Sequence, residues 1–271
     1  MSKYQFGFIG CGNMGGALVR AISAKIAKER ILIADCLEQN TKRLQQDCGV
    51  CVAKDAAEVA QSAQYIFLGV KPQGLGTLLS ELSPILKERS DRVVLISMAA
   101  GITLASIGYM LGEGYPVVRI LPNTPAAVGK GMTLYCCNSL VDSVEEKEIV
   151  FALEAAGKVD KLDEAWIDAG CAVSGCGPAF VYLFMEAMAD GAVAAGLPRQ
   201  KAMLYAAQTV VGAAEMLLQS GKHPGELKDA VCSPGGSTIR GVQALEQEGF
   251  RGVVMDAVLA AYEKTKDLGK S

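Results

Sequence analysis

The chain has 271 residues, 51% of them hydrophobic and 20% charged, with a formal net charge of −3. That length holds one large domain or two modest ones with a substantial core, and the near-balanced charge excludes a polyelectrolyte partner such as nucleic acid. Glu186 and Asp190 interrupt the most apolar helical stretch, so no membrane span is expected.

Taken in order, Met1-Ser2-Lys3 leads without a signal peptide into a strand over 4–9, and a cytoplasmic location is the default expectation. Gly10-Cys11-Gly12-Asn13-Met14-Gly15-Gly16 follows, then a helix whose Met14, Leu18, Ile22 and Ile26 recur every four residues and face a sheet. Further strands are predicted over 30–34, 65–70, 92–97, 117–121 and 133–137, and helices near 38–47, 55–62, 74–87, 103–111 and 144–155. Strands alternating with helices imply an α/β Rossmann domain with a mostly parallel, doubly wound sheet. After about residue 162 the texture turns helical, with no strong strand. Pro178 suits the first turn of a long helix to about Ala195, with 174–177 leading into it. Gly196-Leu197-Pro198 separates it from a helix to about Gln219, and shorter helices follow near 225–231, 238–247 and 250–266. The expected organisation is a dinucleotide-binding domain over 1–162 and an all-α dimerisation and substrate-binding domain over 163–271, rich in alanine for close helix packing.

Nine cysteines are scattered through the chain. Cys48 and Cys51 have redox spacing but no second ligand pair, so reduced apolar cysteines are expected and no metal site. The one histidine, His223, precedes Pro224 in a polar loop, which disfavours a histidine dyad.

Gly10-x-Gly12-x-x-Gly15 follows a strand and opens a helix, the context of a dinucleotide fingerprint. Gly10 permits the turn, Gly12 admits the pyrophosphate and Gly15 lets helix and strand pack; the competing reading is a glycine-rich turn without a ligand. Asp35 ends the second strand about twenty residues later. A carboxylate there binds the ribose 2′-hydroxyl of NAD and repels the 2′-phosphate of NADP, unless it merely caps the next helix. Val70-Lys71-Pro72-Gln73, Ser97-Met98-Ala99-Ala100-Gly101 and Arg119-Ile120-Leu121-Pro122-Asn123 end three further strands at the ligand-binding edge. Lys71 faces phosphate or ribose, or solvent. The small residues after Ser97 let a nicotinamide ring lie on backbone, and Asn123 offers it a polar contact.

Cys232-Ser233-Pro234-Gly235-Gly236-Ser237-Thr238-Ile239 runs into an amphipathic segment. Adjacent glycines let N–H groups converge, and the following helix adds its own open N–H groups and dipole. The expected result is a pocket for a small carboxylate flanked by two hydroxyls. An anion site for a cofactor and another for a substrate point to a dehydrogenase or reductase.

Five of these motifs, Gly10 to Gly15, Val70 to Gln73, Arg119 to Pro125, Ala172 to Phe180 and Ser233 to Ile239, occur in unbroken order between about residues 5 and 265. In them the chain resembles the pyrroline-5-carboxylate reductase family. The resemblance implies reduction of 1-pyrroline-5-carboxylate to L-proline with NADPH or NADH, the last step of proline biosynthesis. It implies a homodimer intertwined through the C-terminal helices, with a decamer as the larger ring. It places Val231, Ser233, Gly235, Gly236, Ser237 and Thr238 at the substrate, with Thr238 as the catalytic hydroxyl, and Ser174, Gly175 and Pro178 on the opposite wall. It places Gly10, Cys11, Gly12, Asn13, Met14, Gly15, Asp35, Asp55, Val70, Lys71, Pro72, Ala99, Ala100, Gly101 and Asn123 at the cofactor. Two departures stand out. Asp35-Cys36 replaces the Asn-Arg or Ser that the family often has, and Asp55 stands where an asparagine is expected; both count against the family's usual NADPH preference.

Two rivals remain. A β-hydroxyacid-type dehydrogenase needs a lysine on the first helix of the second domain, and 175–190 contains none. A non-catalytic dinucleotide-binding regulator has no need of the second anion pocket.

Overall fold

The structure is a computed structural model describing residues 2–112 and 114–268; Met1 of the expected N-terminal segment and residues 269–271 of the expected second domain lie outside the described residues. Two compact units emerge, one of residues up to Cys176 together with those from Ala261 on, the other Gly177–Ala260.

The first unit is built on eight strands: β1 (Tyr4–Ile9), β2 (Ile31–Ala34), β3 (Cys51–Val52), β4 (Ala63–Leu68), β5 (Val94–Ser97), β6 (Val117–Leu121), β7 (Gly131–Cys137) and β8 (Gly157–Lys161). Their order is β3-β2-β1-β4-β5-β6-β7-β8. Neighbours from β3 to β6 pair in parallel, β7 is antiparallel to β6, and β8 is parallel to β7. The order reverses at β1, where chain crossovers leave to both sides, so the crevice beyond its carboxyl end is the expected ligand position.

The strands are nearly continuous apolar runs because both faces are covered. Helices α1 (Asn13–Ser23), α2 (Glu38–Cys48), α3 (Ala56–Ser62), α4 (Pro72–Lys87), α5 (Leu104–Leu111) and α6 (Ser143–Leu153) supply the two covers. Alternate strand residues divide between them. Phe6, Phe8, Ile33, Phe67 and Ile96 pack with Leu18, Ile22, Leu44 and Ile149, while Ile9, Leu32, Ile66 and Leu95 pack with Val59, Leu75, Leu79 and Ile107. Phe8 and Phe67 stack with ring centroids 4.3 Å apart. Leu18 and Ile22 are buried as the four-residue spacing predicts.

Three elements were not anticipated. The two-residue β3 is too short to leave a pattern. In β8 the polar Lys158, Asp160 and Lys161 sit on a rim strand, which masks its pairing with β7. Helix α7 (Glu164–Ser174) lies over β7, where Ile167 and Cys171 join Leu121, Leu134 and Cys136 in a separate small core. Gly170 permits that approach, since a Cβ there would stand 2.5 Å from Leu134 Cδ1. The boundary between compact units accordingly falls after Cys176, with α7 on the sheet side.

The second unit contains α8 (Gly177–Ala194), α9 (Arg199–Ser220), α10 (Pro224–Ala230), α11 (Ser237–Gln247) and the start of α12 (Phe250–Leu268). Pro178 stands in the first turn of α8, as expected. Gly196, at φ +98°, turns the chain between α8 and α9, which pack through Ala189, Ala202 and Ala206. That seam is a small core for five helices. Tyr182, Leu183, Leu204, Val211, Met216, Leu218, Val253 and Met255 remain exposed, far more apolar surface than a lone domain carries. The stretch Glu164–Ala194 has the length and hydropathy, 1.4 over its most apolar window, to cross a bilayer, contrary to the sequence expectation. It is two helices, broken at Gly175-Cys176.

Candidate active site

Backbone geometry, more than side chains, builds the cofactor end of the first unit. Gly10 adopts φ +96° and lies so close to β4's end that a Cβ would meet the Gly69 carbonyl oxygen at 2.5 Å. Gly15 is equally constrained, its Cβ position 2.1 Å from the Gly10 carbonyl oxygen. Gly12 differs from both. It is the N-cap of α1 at φ −64°, and a Cβ on it would meet no atom of the described residues within 4 Å beyond its chain neighbours. Nothing in the fold requires glycine there, whereas a pyrophosphate lying against the backbone does. No side chain caps α1 and no acidic residue occupies its first turn, so the amides of Asn13, Met14 and Gly15 have no intrahelical acceptor. The loop therefore fits a dinucleotide phosphate.

Cys11 contributes differently from its neighbours. Its side chain is buried against the Ala34 carbonyl, and burial, with Asp35 nearby, pushes the thiol up to about 12. Its amide donates to Asp35 Oδ2 at 2.6 Å, while the Leu37 amide donates to Oδ1 at 2.8 Å. Asp35 is thus a clamp between the phosphate loop and the segment after β2, and the cap position of α2 belongs to Leu37. Asp55 is the N-cap of α3 and accepts from the Glu58 amide at 2.9 Å. Lys71 is the exposed N-cap of α4, between half-buried Val70 and Pro72. Ala99 and Gly101 are buried beyond β5, with Ala100 half-buried between them, and Gly101 turns the chain at φ +77°.

Asn123, beyond β6, is almost fully buried. Its Nδ2 donates to the Ser174 carbonyl at 2.8 Å and its Oδ1 accepts the Met132 amide at 2.8 Å. It ties the end of α7 to the start of β7. Nearby, the wholly buried Arg119 of β6 pairs with Asp168 and, at 3.5 Å, with Glu164 Oε1, which also accepts the Leu104 amide. Arg119 Nε and Ser174 Oγ are buried without a partner among the described residues. Nothing local signals these links: apart from Asn123 and Met132, nine positions apart, the paired residues lie 45 to 60 positions apart.

In the second unit, Ser233-Pro234-Gly235-Gly236 forms a turn closed by the Gly236 amide on the Ser233 carbonyl at 3.0 Å. Proline second and Gly235 third at φ +70° match the requirements of a type II turn. Gly236 is the N-cap of α11, and a Cβ there would strike Ser233 Oγ at 2.4 Å. Ser237 and Thr238 open α11 with no side-chain cap, and both are exposed. Among the described residues the Thr238 hydroxyl has no partner, and as a first-turn residue it is not the cap. Val231 is exposed just before the turn. His223 is exposed, its Nδ1 accepting the Gly225 amide, as the N-cap of α10.

Residues 164–268 match the family model described as pyrroline-5-carboxylate reductase dimerisation, and residues 5–101 match one described as NADP oxidoreductase, coenzyme F420-dependent. The chain is 40% identical to the pyrroline-5-carboxylate reductase of Escherichia coli strain K12 over 98% of its own length and 99% of the relative's. It belongs to the pyrroline-5-carboxylate reductase family. Pyrroline-5-carboxylate reductase 3 of Danio rerio is 42% identical over 98% of this chain and 92% of its own. The crystal structure of Plasmodium falciparum pyrroline carboxylate reductase with NADP bound superposes with a TM-score of 0.89 at 34% identity, covering 99% of each chain. In this reductase-family chain the oxidoreductase match covers the strands from β1 to β5, and the dimerisation match begins at α7, inside the first compact unit, and runs on through the helices whose apolar faces stand open.

Proposed function

We propose that this chain is a pyrroline-5-carboxylate reductase that reduces 1-pyrroline-5-carboxylate to L-proline with NADPH or NADH. The observation that carries the reading is the Ser233–Gly236 turn handing the chain straight into the uncapped first turn of α11. An uncapped helix start preceded by two glycines is a carboxylate receptor, and the substrate's one permanent charge is a carboxylate.

The division of labour follows the sequence reading, with residues 1–162 holding the cofactor and 163–271 forming the dimer and holding the substrate. When bound, a reduced nicotinamide supplies the hydride, whose arrival at the imine carbon sends the C=N π pair onto nitrogen. The phosphate loop, with its Gly12 backbone open to approach, orients the dinucleotide. The Gly235–Ser237 backbone holds the substrate carboxylate, with the Ser237 amide at the uncapped start of α11 as donor while the Gly236 amide closes the turn, and this fixes the ring. The imine is basic enough to arrive protonated, and Thr238 Oγ1 accepts its N–H and keeps the ring from rotating. No strong protein acid is needed, so rate comes from orientation and from charge placed where it develops.

The exposed apolar faces of α8, α9 and α12 form the homodimer, and dimers assemble further into a decamer. The enzyme works in the cytoplasm, with neither membrane nor nucleic acid as partner. Oxidation of NADPH and NADH at 340 nm with pyrroline-5-carboxylate, alongside light scattering for mass, tests both parts. Turnover is expected with at least one cofactor, and a mass no smaller than a dimer. A protein that binds a dinucleotide yet reduces no cyclic imine is a regulator, and the reading fails.

A further inference from the structure

We infer that Asp35 makes this chain select NADH over NADPH, an inference resting on the dinucleotide-binding role proposed above. Asp35 follows directly on β2, at the carboxyl edge of the sheet and beside the phosphate loop. Its two carboxylate oxygens each take one backbone amide, Cys11 at 2.6 Å and Leu37 at 2.8 Å, so its position and orientation are fixed. An ionised carboxylate is acceptor-only, with roughly four lone-pair sites. Two are filled from the backbone, and the Cys36 thiol reaches Oδ1 at 3.7 Å as a weak third donor. The others suit the donor hydroxyls of a ribose and have nothing to offer a phosphate.

The surrounding charge points the same way. Asp35 makes no salt bridge among the described residues. Lys42 of α2, a candidate to neutralise a phosphate, is paired with Glu38 at 2.9 Å. At the neighbouring edge position the chain places a second carboxylate, Asp55, held by the Glu58 amide and paired at 3.8 Å with the exposed Lys54. Arg43, exposed and more than a turn into α2, is the remaining cation of that helix. A 2′-phosphate brought to this edge meets the Asp35 carboxylate, which is held by backbone and cannot rotate away, and like-charge juxtaposition of that kind is costly.

Isothermal titration of wild type, Asp35→Asn, Asp35→Ser and Arg43→Ala with NADH and with NADPH, without substrate, gives the Kd ratio directly. Wild type is expected to bind NADH roughly 10- to 100-fold more tightly than NADPH, the scale set by one like-charge contact. Asp35→Ser is expected to bring the ratio near one by strengthening NADPH and weakening NADH. The Asn variant keeps the shape and removes the charge, so it separates charge from strut. If both cofactors weaken together in both variants, Asp35 only props the loop and the inference is overturned. Equal or tighter NADPH binding by wild type, lost in Arg43→Ala, overturns it too and assigns the 2′-phosphate to Arg43. Binding of neither cofactor by any variant sinks the dinucleotide reading itself, a distinct outcome from lost selectivity.

Discussion

The guanidinium of Arg119, wholly buried in the middle of β6, is ion-paired with Asp168 on α7. Glu164, on the same helix, is the second anion, and its Oε1 also receives the Leu104 amide. One cation thus holds α7 to the sheet while the same carboxylate tethers the start of α5. Removing one partner of such a cluster strands the other without water. Asp168→Ala is expected to cost about 3–5 kcal/mol, the usual penalty for breaking a buried pair. Arg119→Met, which removes the charge with an apolar side chain, should cost less on the cation's side. Urea unfolding of the two variants gives the comparison; equal losses under about 1 kcal/mol would show the pair to be solvated in solution.

The glycines of the phosphate loop separate fold from ligand. Gly15→Ala drives a methyl against the Gly10 carbonyl oxygen, 2.1 Å from the ideal Cβ, and should destabilise by about 1–3 kcal/mol or more. Gly12→Ala meets no atom of the described residues within 4 Å beyond its chain neighbours, so its loss should stay below about 1 kcal/mol, the scale of an N-cap change. Its dinucleotide Kd should nevertheless rise about tenfold or more, corresponding to about 1.4 kcal/mol. Thermal midpoints paired with titrations decide this. A Gly12→Ala protein with normal affinity would place the pyrophosphate elsewhere.

Thr238→Ala should lower kcat/KM by roughly 100-fold or more, the size of one positioned polar group acting in the transition state. Its stability should change little, because the hydroxyl is exposed and bonds to nothing in the described structure. Thr238→Ser should restore much of the rate. Near-normal turnover in the alanine variant removes Thr238 from the mechanism.

Acid sensitivity has a specific source. Hydrogen bonds from Arg89 and Ser2 hold the Asp91 carboxyl down from 3.8 to about 2. Arg89 in turn binds the carbonyls of Ala60 and Ala63 at 2.6 and 2.7 Å. A carboxyl depressed on folding contributes stability that is complete above its unfolded value and lost as pH falls through its folded one. The contribution should therefore fade between about pH 4 and pH 2. Unfolding free energies of Asp91→Asn and wild type should converge across that window and differ above it; parallel curves would exclude the linkage.

Much of the first unit was legible because its physics is local. Apolar strand runs, the period of Leu18 and Ile22, and glycine at the turns all report their own surroundings. The same holds for the Ser233–Gly236 turn, which Pro234 and Gly235 nearly dictate. Legibility failed where partners are remote or patterns mixed. Cys11 reads as a loop residue facing a ligand, yet its side chain turns inward and its amide goes to Asp35. Asn123 reads as a polar contact for a ring, but its two assigned bonds lie within the protein. Strand β8 carries too many polar residues to announce a packed face, and α7 is apolar on its exposed side as well, at Trp166 and Val173, so no single face stands out; their partners, β7 and Arg119, are fixed only by the completed sheet.

The antiparallel step between β6 and β7 has a consequence for the route of the chain. Had every strand run the same way, the last one would deliver the backbone to the ligand edge unaided. With β7 and β8 reversed, the chain leaves β8 heading away from that edge. An eleven-residue α7, about 16 Å long at 1.5 Å per residue, spans about the length of a five-residue strand and carries it back. Its last residue, Ser174, is received there by Asn123. The backbone therefore departs from the sheet on the side where the glycine loops open. Asn123 is the mooring of that departure point, and a chimera that grafts a foreign helical region onto this sheet should keep the native sequence through Cys176.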